Sequence, residues 1–293
     1  VSDGDVGGFD GGDRDFSPAE HAELALLLEV AGTPKPGNVD REHDLGDLRF
    51  EHFLAGSVGS RRGLQLAEED APVGEAFERA IAGMRQQCGG NTQFGCLLLL
   101  VPLVTAVSTV EGDLTAEAVT EVVESTTVAD AANFYRAFEH VDVAVGDPPA
   151  DAGELDVRRG AGAIPTLEER EMTLLDVMEL SAERDGNARE WTGGFRRTFD
   201  AAESILADDG PVLDRAARAF LDLLAEEPDT LVATQHGTEV AAEVSRLADE
   251  ARGDPTEVAK LSDALVAEGV NPGTTADITA AALFVALERG VPV

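Results

Sequence analysis

The chain has 293 residues and a formal charge of −35, from 57 acidic and 22 basic side chains. That field repels nucleic acid and anionic membranes, which excludes a partner of either kind. Hydrophobic residues make up 43 %, too many for a disordered acidic chain and enough for a sizeable core.

The acids are spread along the whole chain rather than gathered in a tail. Such a surface suggests a protein from a salt-loving cell, where dissolved ions screen the mutual repulsion of the carboxylates. The start, Val1-Ser2-Asp3-Gly4-Asp5, has neither a charged leader nor an apolar stretch. The most apolar segment, Cys96 to Val107, is shorter than the roughly 20 residues a membrane span needs. A cytoplasmic location is the expectation.

Residues 1–16 are rich in Gly and Asp and are expected to form a disordered tail. Residues 17–293 are expected to form one all-α catalytic domain, a bundle of about ten or eleven helices. Ser17-Pro18-Ala19-Glu20 opens the first helix with a capping box and a proline in the first turn. That helix runs to Ala31 and stops at a Pro/Gly loop. Phe50, Phe53, Leu54, Val58 and Leu64 make the apolar stripe of a second helix over 49–68. A third covers 73–87. Gly89-Gly90-Asn91-Thr92 breaks the chain before a buried helix to Val110. Two more helices follow at 115–125 and 127–141. Residues 142–165 are irregular, and loops of that length are usually functional or disordered. Thr166 and Glu169 suggest a capping box for a helix reaching about Arg184. Further helices fill most of 193–289. No segment alternates like a strand. Cys88 and Cys96 have neither zinc-site nor disulfide-framework spacing, and both read as small core residues.

Lysine occurs only at Lys35 and Lys260. Lys35 lies between two prolines in Thr33-Pro34-Lys35-Pro36-Gly37-Asn38-Val39-Asp40-Arg41, followed by His43, Asp44 and Asp47. The prolines restrict the backbone. The spacing predicts a stiff exposed loop with a cation beside carboxylates, suited to a magnesium nucleotide. Three other joints carry polar residues: Gly90-Asn91-Thr92, Arg158-Arg159-Gly160, and Asn271-Pro272-Gly273-Thr274-Thr275-Ala276-Asp277. Asp229-Thr230 is a weaker one. Joints of this kind can gather helix N-termini around an anion. Arg61-Arg62 and Arg196-Arg197 fall within helix-like runs and read as solvated faces.

Together these joints resemble the triphosphoribosyl-dephospho-CoA synthase family over about Glu20 to Ala286. The loop Thr33–Arg41 is similar to its Thr-Pro-Lys-Pro-Gly-x-Val-Asp-Arg signature. Asn91-Thr92 and Gly95 match Gly-x-Asn-Thr-His-Lys-Gly, Arg159-Gly160 an Ala-Arg-Gly-Glu loop, and Asn271–Asp277 a Ser-Pro-Gly-Gly-Ser-Ala-Asp segment. Gln93 and Phe94 depart from the His-Lys pair, and Ala161 from the Glu. The resemblance implies an all-α transferase that moves the 5-triphosphoribosyl group of ATP to a ribose hydroxyl of dephospho-CoA or a related acceptor, releasing adenine. It further implies Mg²⁺ as cofactor. On that reading Lys35, Asp40 and His43 are catalytic. Lys35, Arg41, Asn91, Thr92, Arg158, Arg159 and Gly273 bind nucleotide, and Asp44, Asp47 and Asp277 bind metal. Lys35→Ala is expected to abolish activity with little loss of fold. Two other readings stand beside it: a magnesium-dependent hydrolase or transferase on another nucleotide or ADP-ribose-like compound, and a nucleotide-binding helical protein without turnover.

Overall fold

The computed structural model describes residues 16–109, 112–149 and 152–293. The expected tail over 1–16 lies, but for residue 16, outside them. Among the described residues there are fifteen α-helices, two short 3₁₀ segments and no strand; one isolated bridge joins Leu45 and Leu48.

The helices are α1 (Pro18–Ala31), α2 (Phe50–Glu68), α3 (Val73–Met84), α4 (Phe94–Thr109), α5 (Ala116–Glu124), α6 (Val128–Ala137), α7 (Ile164–Glu169) and α8 (Leu174–Glu179). Then come α9 (Gly186–Thr192), α10 (Arg196–Ala207), α11 (Val212–Glu226), α12 (Thr230–His236), α13 (Thr238–Ala251), α14 (Pro255–Glu268) and α15 (Gly273–Glu288). The count exceeds the expected ten or eleven for local reasons. Glu171 takes φ 53°, which breaks the run expected over 166–184 into α7 and α8. Thr173 then recaps the chain with Asp176. The Thr166 capping box does not form, because Ile164 and Pro165 already start α7. Helices α9 and α12 have seven residues each, two turns, too short for an apolar period to register. Ser17 does form its capping box with Glu20.

Helices α4 and α15 pack on each other at the centre, with α1 against both. Each is apolar nearly all round, as a fully enclosed helix must be. A second apolar cluster, built on Phe220, Leu224, Val244 and Leu265, joins α11 to α14. Of the two cysteines, Cys96 is buried as expected, but Cys88 is exposed, since it sits after α3 has ended.

Pro102 lies inside α4. It has no N–H to offer the Leu98 carbonyl four residues back. The Trp191 indole fills that role, donating Nε1–H to Leu98 O at 3.1 Å. Trp191 belongs to α9, so this bond docks α9 on the central helix.

No helix among the described residues is long and apolar enough to cross a membrane.

Candidate active site

A cavity of about 390 Å³ opens where the starts of α4, α9, α12 and α15 meet. Helix starts present unpaired N–H groups and a partial positive charge. Of the joints singled out in the sequence, Thr33–Arg41 (through Asn38), Gly90–Thr92, Asp229–Thr230 and Asn271–Asp277 converge here, although Asn38 and Asp277 are about 240 residues apart; Arg158-Arg159-Gly160 does not line the cavity. Asn38, Asn91, Thr92, Thr230, Asn271, Gly273 and Asp277 all line the cavity.

Asp277, the fifth residue of α15, is its centre. Asn187 Nδ2 donates to Asp277 Oδ2 at 2.8 Å, and the Cys96 thiol donates to Oδ1 at 3.1 Å. Desolvation pushes this carboxyl up to about 7; the Asn187 and Cys96 bonds pull it down, and the charges of Asp229 and Glu29 push it up again. Burial likewise drives the Cys96 thiol well above its ordinary range, helped by Asp277, so it stays a thiol. Gly95 makes the approach possible. A Cβ there would lie 1.9 Å from Asp277 Oδ2 and 2.4 Å from Asn187 Nδ2.

Asp229 holds two helix starts in place. Its Oδ1 accepts from the backbone N–H groups of Leu231 and Val232, and its Oδ2 from the Thr275 backbone and hydroxyl at 2.7 Å each. Burial raises its pKa, and these bonds oppose the rise. Next to it Thr230 and Thr274 join their hydroxyls at 3.0 Å, and Thr230 Oγ1 accepts from Gly186 N–H. Among the described residues, three buried side-chain oxygens around the cavity region have no partner: Thr92 Oγ1, Gln93 Oε1 and Asn187 Oδ1. Such groups are costly unless something completes them.

The loop Thr33–Arg41 is not the exposed arm that its prolines suggest. Lys35 is fully buried, and its ammonium pairs with Glu29 and donates to Asn38 Oδ1 at 3.1 Å. The physical reason lies in α1. Glu29 is enclosed within an apolar helix and needs a counter-charge, and the loop folds back to bring one. Gly37 permits the fold: its φ is 77°, and any Cβ would meet the Val270 carbonyl at 2.3 Å. Asn38 Nδ2 then reaches Asn271 Oδ1 at 2.9 Å, tying the first joint to the last.

Asp40 is buried and its oxygens are already in use. It accepts from the Thr33 hydroxyl at 2.8 Å, the Lys35 backbone at 3.1 Å, and the Glu42 and His43 backbones at 2.8 and 2.9 Å. It closes the loop. His43 is bracketed by Asp40 at 3.0 Å and Asp263 at 3.1 Å. Partial burial disfavours the imidazolium, but those two carboxylates outweigh it, and the His43 pKa is raised. Neither residue lines the cavity.

The expected metal and phosphate groups are dispersed. Asp44 and Asp47 are exposed, and Asp44 caps α2 through Phe50 N–H at 2.9 Å. Only Asp277 of that trio reaches the cavity, and among the described residues no three His, Cys, Asp or Glu side chains are grouped for a metal. Arg41, Arg158 and Arg159 are exposed. Arg158 is held by Asp156 at 2.7 Å and Asp147 at 2.9 Å. Among the described residues the one cation on the cavity wall is Arg184, whose Nη1 donates to the Asp147 carbonyl at 2.7 Å. Arg61 pairs with Glu23 and Arg62 with Glu69, on solvated faces as expected.

The departures Gln93 and Phe94 have structural partners. Gln93 is buried and donates to Ser57 Oγ at 2.8 Å. Phe94 joins an aromatic cluster with Phe77, Phe134 and Phe138 and forms part of the cavity wall. Sequence reasoning missed Glu29 and Asn187. Glu29 had a signal, a lone acid within the apolar run Ala25 to Ala31. Asn187 follows Asp185-Gly186 and looks like part of a helix start, which it also is.

Among curated proteins none matches the chain. A crystal structure from Archaeoglobus fulgidus, whose assignment as a triphosphoribosyl-dephospho-CoA synthase is itself inferred, is similar at 27% identity and a TM-score of 0.68. The likeness covers 81% of this chain and 99% of that one. The family model for ATP:dephospho-CoA triphosphoribosyl transferase matches residues 15–291, nearly the whole chain. With the same motifs meeting at one cavity, the chain belongs to the ATP:dephospho-CoA triphosphoribosyl transferase family.

Proposed function

We propose that this cavity transfers the 5-triphosphoribosyl group of ATP to a ribose hydroxyl of dephospho-CoA, or of a related acceptor, with release of adenine. Membership of a transferase family makes the chain an enzyme. The observation that carries the reading is the meeting of Asn38, Asn91–Thr92 and Asn271–Asp277 around one cavity at the starts of α4 and α15. Helix starts suit phosphate oxygens.

The wall is acidic, with Glu29, Asp142, Asp147, Asp156, Asp185 and Asp277 against Arg184. A triphosphate enters such a place only with cations of its own, and we assign that part to Mg²⁺. The ion keeps most of its shell as phosphate oxygens and water and takes one or two carboxylates from protein. Asp277 is the carboxylate best placed, and Asn187 Oδ1 beside it has no partner among the described residues. The ion would neutralise the triphosphate and hold it still. The chain's own work is to orient the sugar: Asn91, Thr92 and Gly273 supply polar groups at the mouths of α4 and α15. Arg158 and Arg159 follow Leu155, Asp156 and Val157, which with residues 142–149 form part of the wall, and we assign them to the outer phosphates.

The test is chromatographic. The protein is incubated in high salt with Mg²⁺ and ATP, with and without dephospho-CoA. Free adenine and a triphosphoribosylated product appearing only with dephospho-CoA support the transfer and its acceptor together. Adenine without acceptor would point to a different natural acceptor or to hydrolysis. The packing of Phe94 into the aromatic cluster favours keeping a related acceptor in the test.

A further inference from the structure

Glu29 occupies an unfavourable place. It lies in the last turn of α1, where the helix dipole disfavours an anion and no basic side chain compensates. It is 2 % exposed, yet it is part of the cavity wall. Its Oε1 takes the Lys35 ammonium. Among the described residues none donates to its other oxygen. Lys35 is itself wholly enclosed, held by Asn38 Oδ1 at 3.1 Å and lying over the Phe220 ring at 5.7 Å from its centroid. Lys35 does not reach the cavity; Glu29 does.

A buried ion pair is a poor way to gain stability, because two apolar side chains of the same shape would serve as well or better. This one spends one of the chain's two lysines on holding a single carboxylate at a cavity wall. Asn38 and Phe220 hold the ammonium from two sides, and the ammonium in turn holds the Glu29 carboxylate. That is preorganisation of a charge at a reacting centre.

We infer that Glu29 is the carboxylate that acts at the reacting sugar carbon, and that Lys35 is a positioning residue that holds it there. The inference rests on the transfer reading above. In that reaction the C1′–N bond to adenine breaks, and its electron pair leaves on the adenine nitrogen. A lone pair of the acceptor hydroxyl forms the new C1′–O bond. Positive charge builds on the sugar in between, as in glycoside transfer, and the free oxygen of Glu29 faces it. The same oxygen accepts the hydroxyl proton and returns it to solvent. Adenine takes one proton from solvent, so the balance closes.

The experiment compares the wild type, Glu29→Gln, and the double variant Glu29→Gln with Lys35→Met. Each is followed by thermal unfolding, by calorimetric binding of Mg-ATP, and by adenine release with acceptor. Glu29→Gln keeps an oxygen for the lysine; the double variant removes both charges and keeps both shapes. The expected result is a double variant that melts at or above the wild-type temperature and binds Mg-ATP within a few-fold. Its turnover stays down by about 10²–10⁴-fold, the usual size of a lost proton-transfer group. A purely structural pair predicts the opposite: turnover returns with stability in the double variant. Turnover within threefold of wild type in either folded variant overturns the inference and leaves the transfer reading standing. A wild type that releases no adenine with any acceptor overturns both.

Discussion

Trp191 donates its indole N–H to the Leu98 carbonyl at 3.1 Å, the carbonyl that Pro102 leaves without its helical partner. Asn187 lies four residues before Trp191 on the same helix, hence on the same face. The bond that repairs a broken turn in α4 therefore also sets where Asn187 meets Asp277. Trp191→Phe keeps most of the packing and removes the donor. It is expected to cost about 1–3 kcal/mol, the price of an unpaired buried carbonyl. Its turnover should fall beyond what the lost stability explains. Denaturant titration and the adenine assay on the folded fraction check the two parts.

Lys35→Ala is expected to damage the fold as well as activity. The loop prolines suggest an exposed side chain, but the lysine is enclosed and balances Glu29. Breaking a buried pair by removing one partner costs about 3–5 kcal/mol, because the other charge is left without compensation. Urea unfolding should show the midpoint falling, with Lys35→Met less harmful than Lys35→Ala because it keeps the side-chain volume.

Asp277 makes the free enzyme less stable as pH rises. Its carboxyl is held near 7 in the folded chain, against an ordinary value of about 3.9 in the unfolded one. Between those values the folded state holds a proton that the unfolded state has lost, so stability is highest below about 4 and falls through about 7 for this group. Asp277→Asn removes that slope. Melting temperatures of wild type and variant from pH 5 to pH 8 in high salt should converge at the acid end and separate at the alkaline end, with the variant higher. Its turnover should fall sharply.

Gly95→Ala tests the closest approach in the site. The new Cβ would overlap Asp277 Oδ2 and Asn187 Nδ2, both side-chain atoms with some freedom to move. Overpacking of this kind costs about 1–3 kcal/mol. The displaced carboxylate should lower turnover by at least tenfold, while the melting temperature falls by only about 2–6 °C. A variant with wild-type turnover would show that Asp277 need not sit where it does.

The surface charge predicts a dependence on salt. With a formal charge of −35, self-repulsion is strong at low ionic strength, and the Debye length shortens from about 30 Å at 0.01 M to 3 Å at 1 M. The melting temperature should climb steeply between those concentrations of KCl. A flat response would refute the reading of this surface as an adaptation to salt.

The sequence by itself determined the helical class, the Ser17 cap, the enclosed course of α4, and the joints of which most form the site. These are local matters of apolar period, capping chemistry and Pro/Gly punctuation, and a chain shows them without folding. It also carried the family, because the Thr33–Arg41 and Asn271–Asp277 motifs are long. It did not show that Lys35 points inward, that Asp40 is consumed in closing its own loop, or that Asp44 and Asp47 stay outside while Asp277 goes in. It gave no sign of Asn187 at the centre or of Trp191 repairing α4. Asn187 and Trp191 act on partners 90 and 93 residues away, while Lys35 and Asp40 turn inward only because the loop folds back on α1 and against Val270. Only tertiary structure decided them, because the cost of burying a charge or an unpaired carbonyl is felt only once water has been excluded by the rest of the fold.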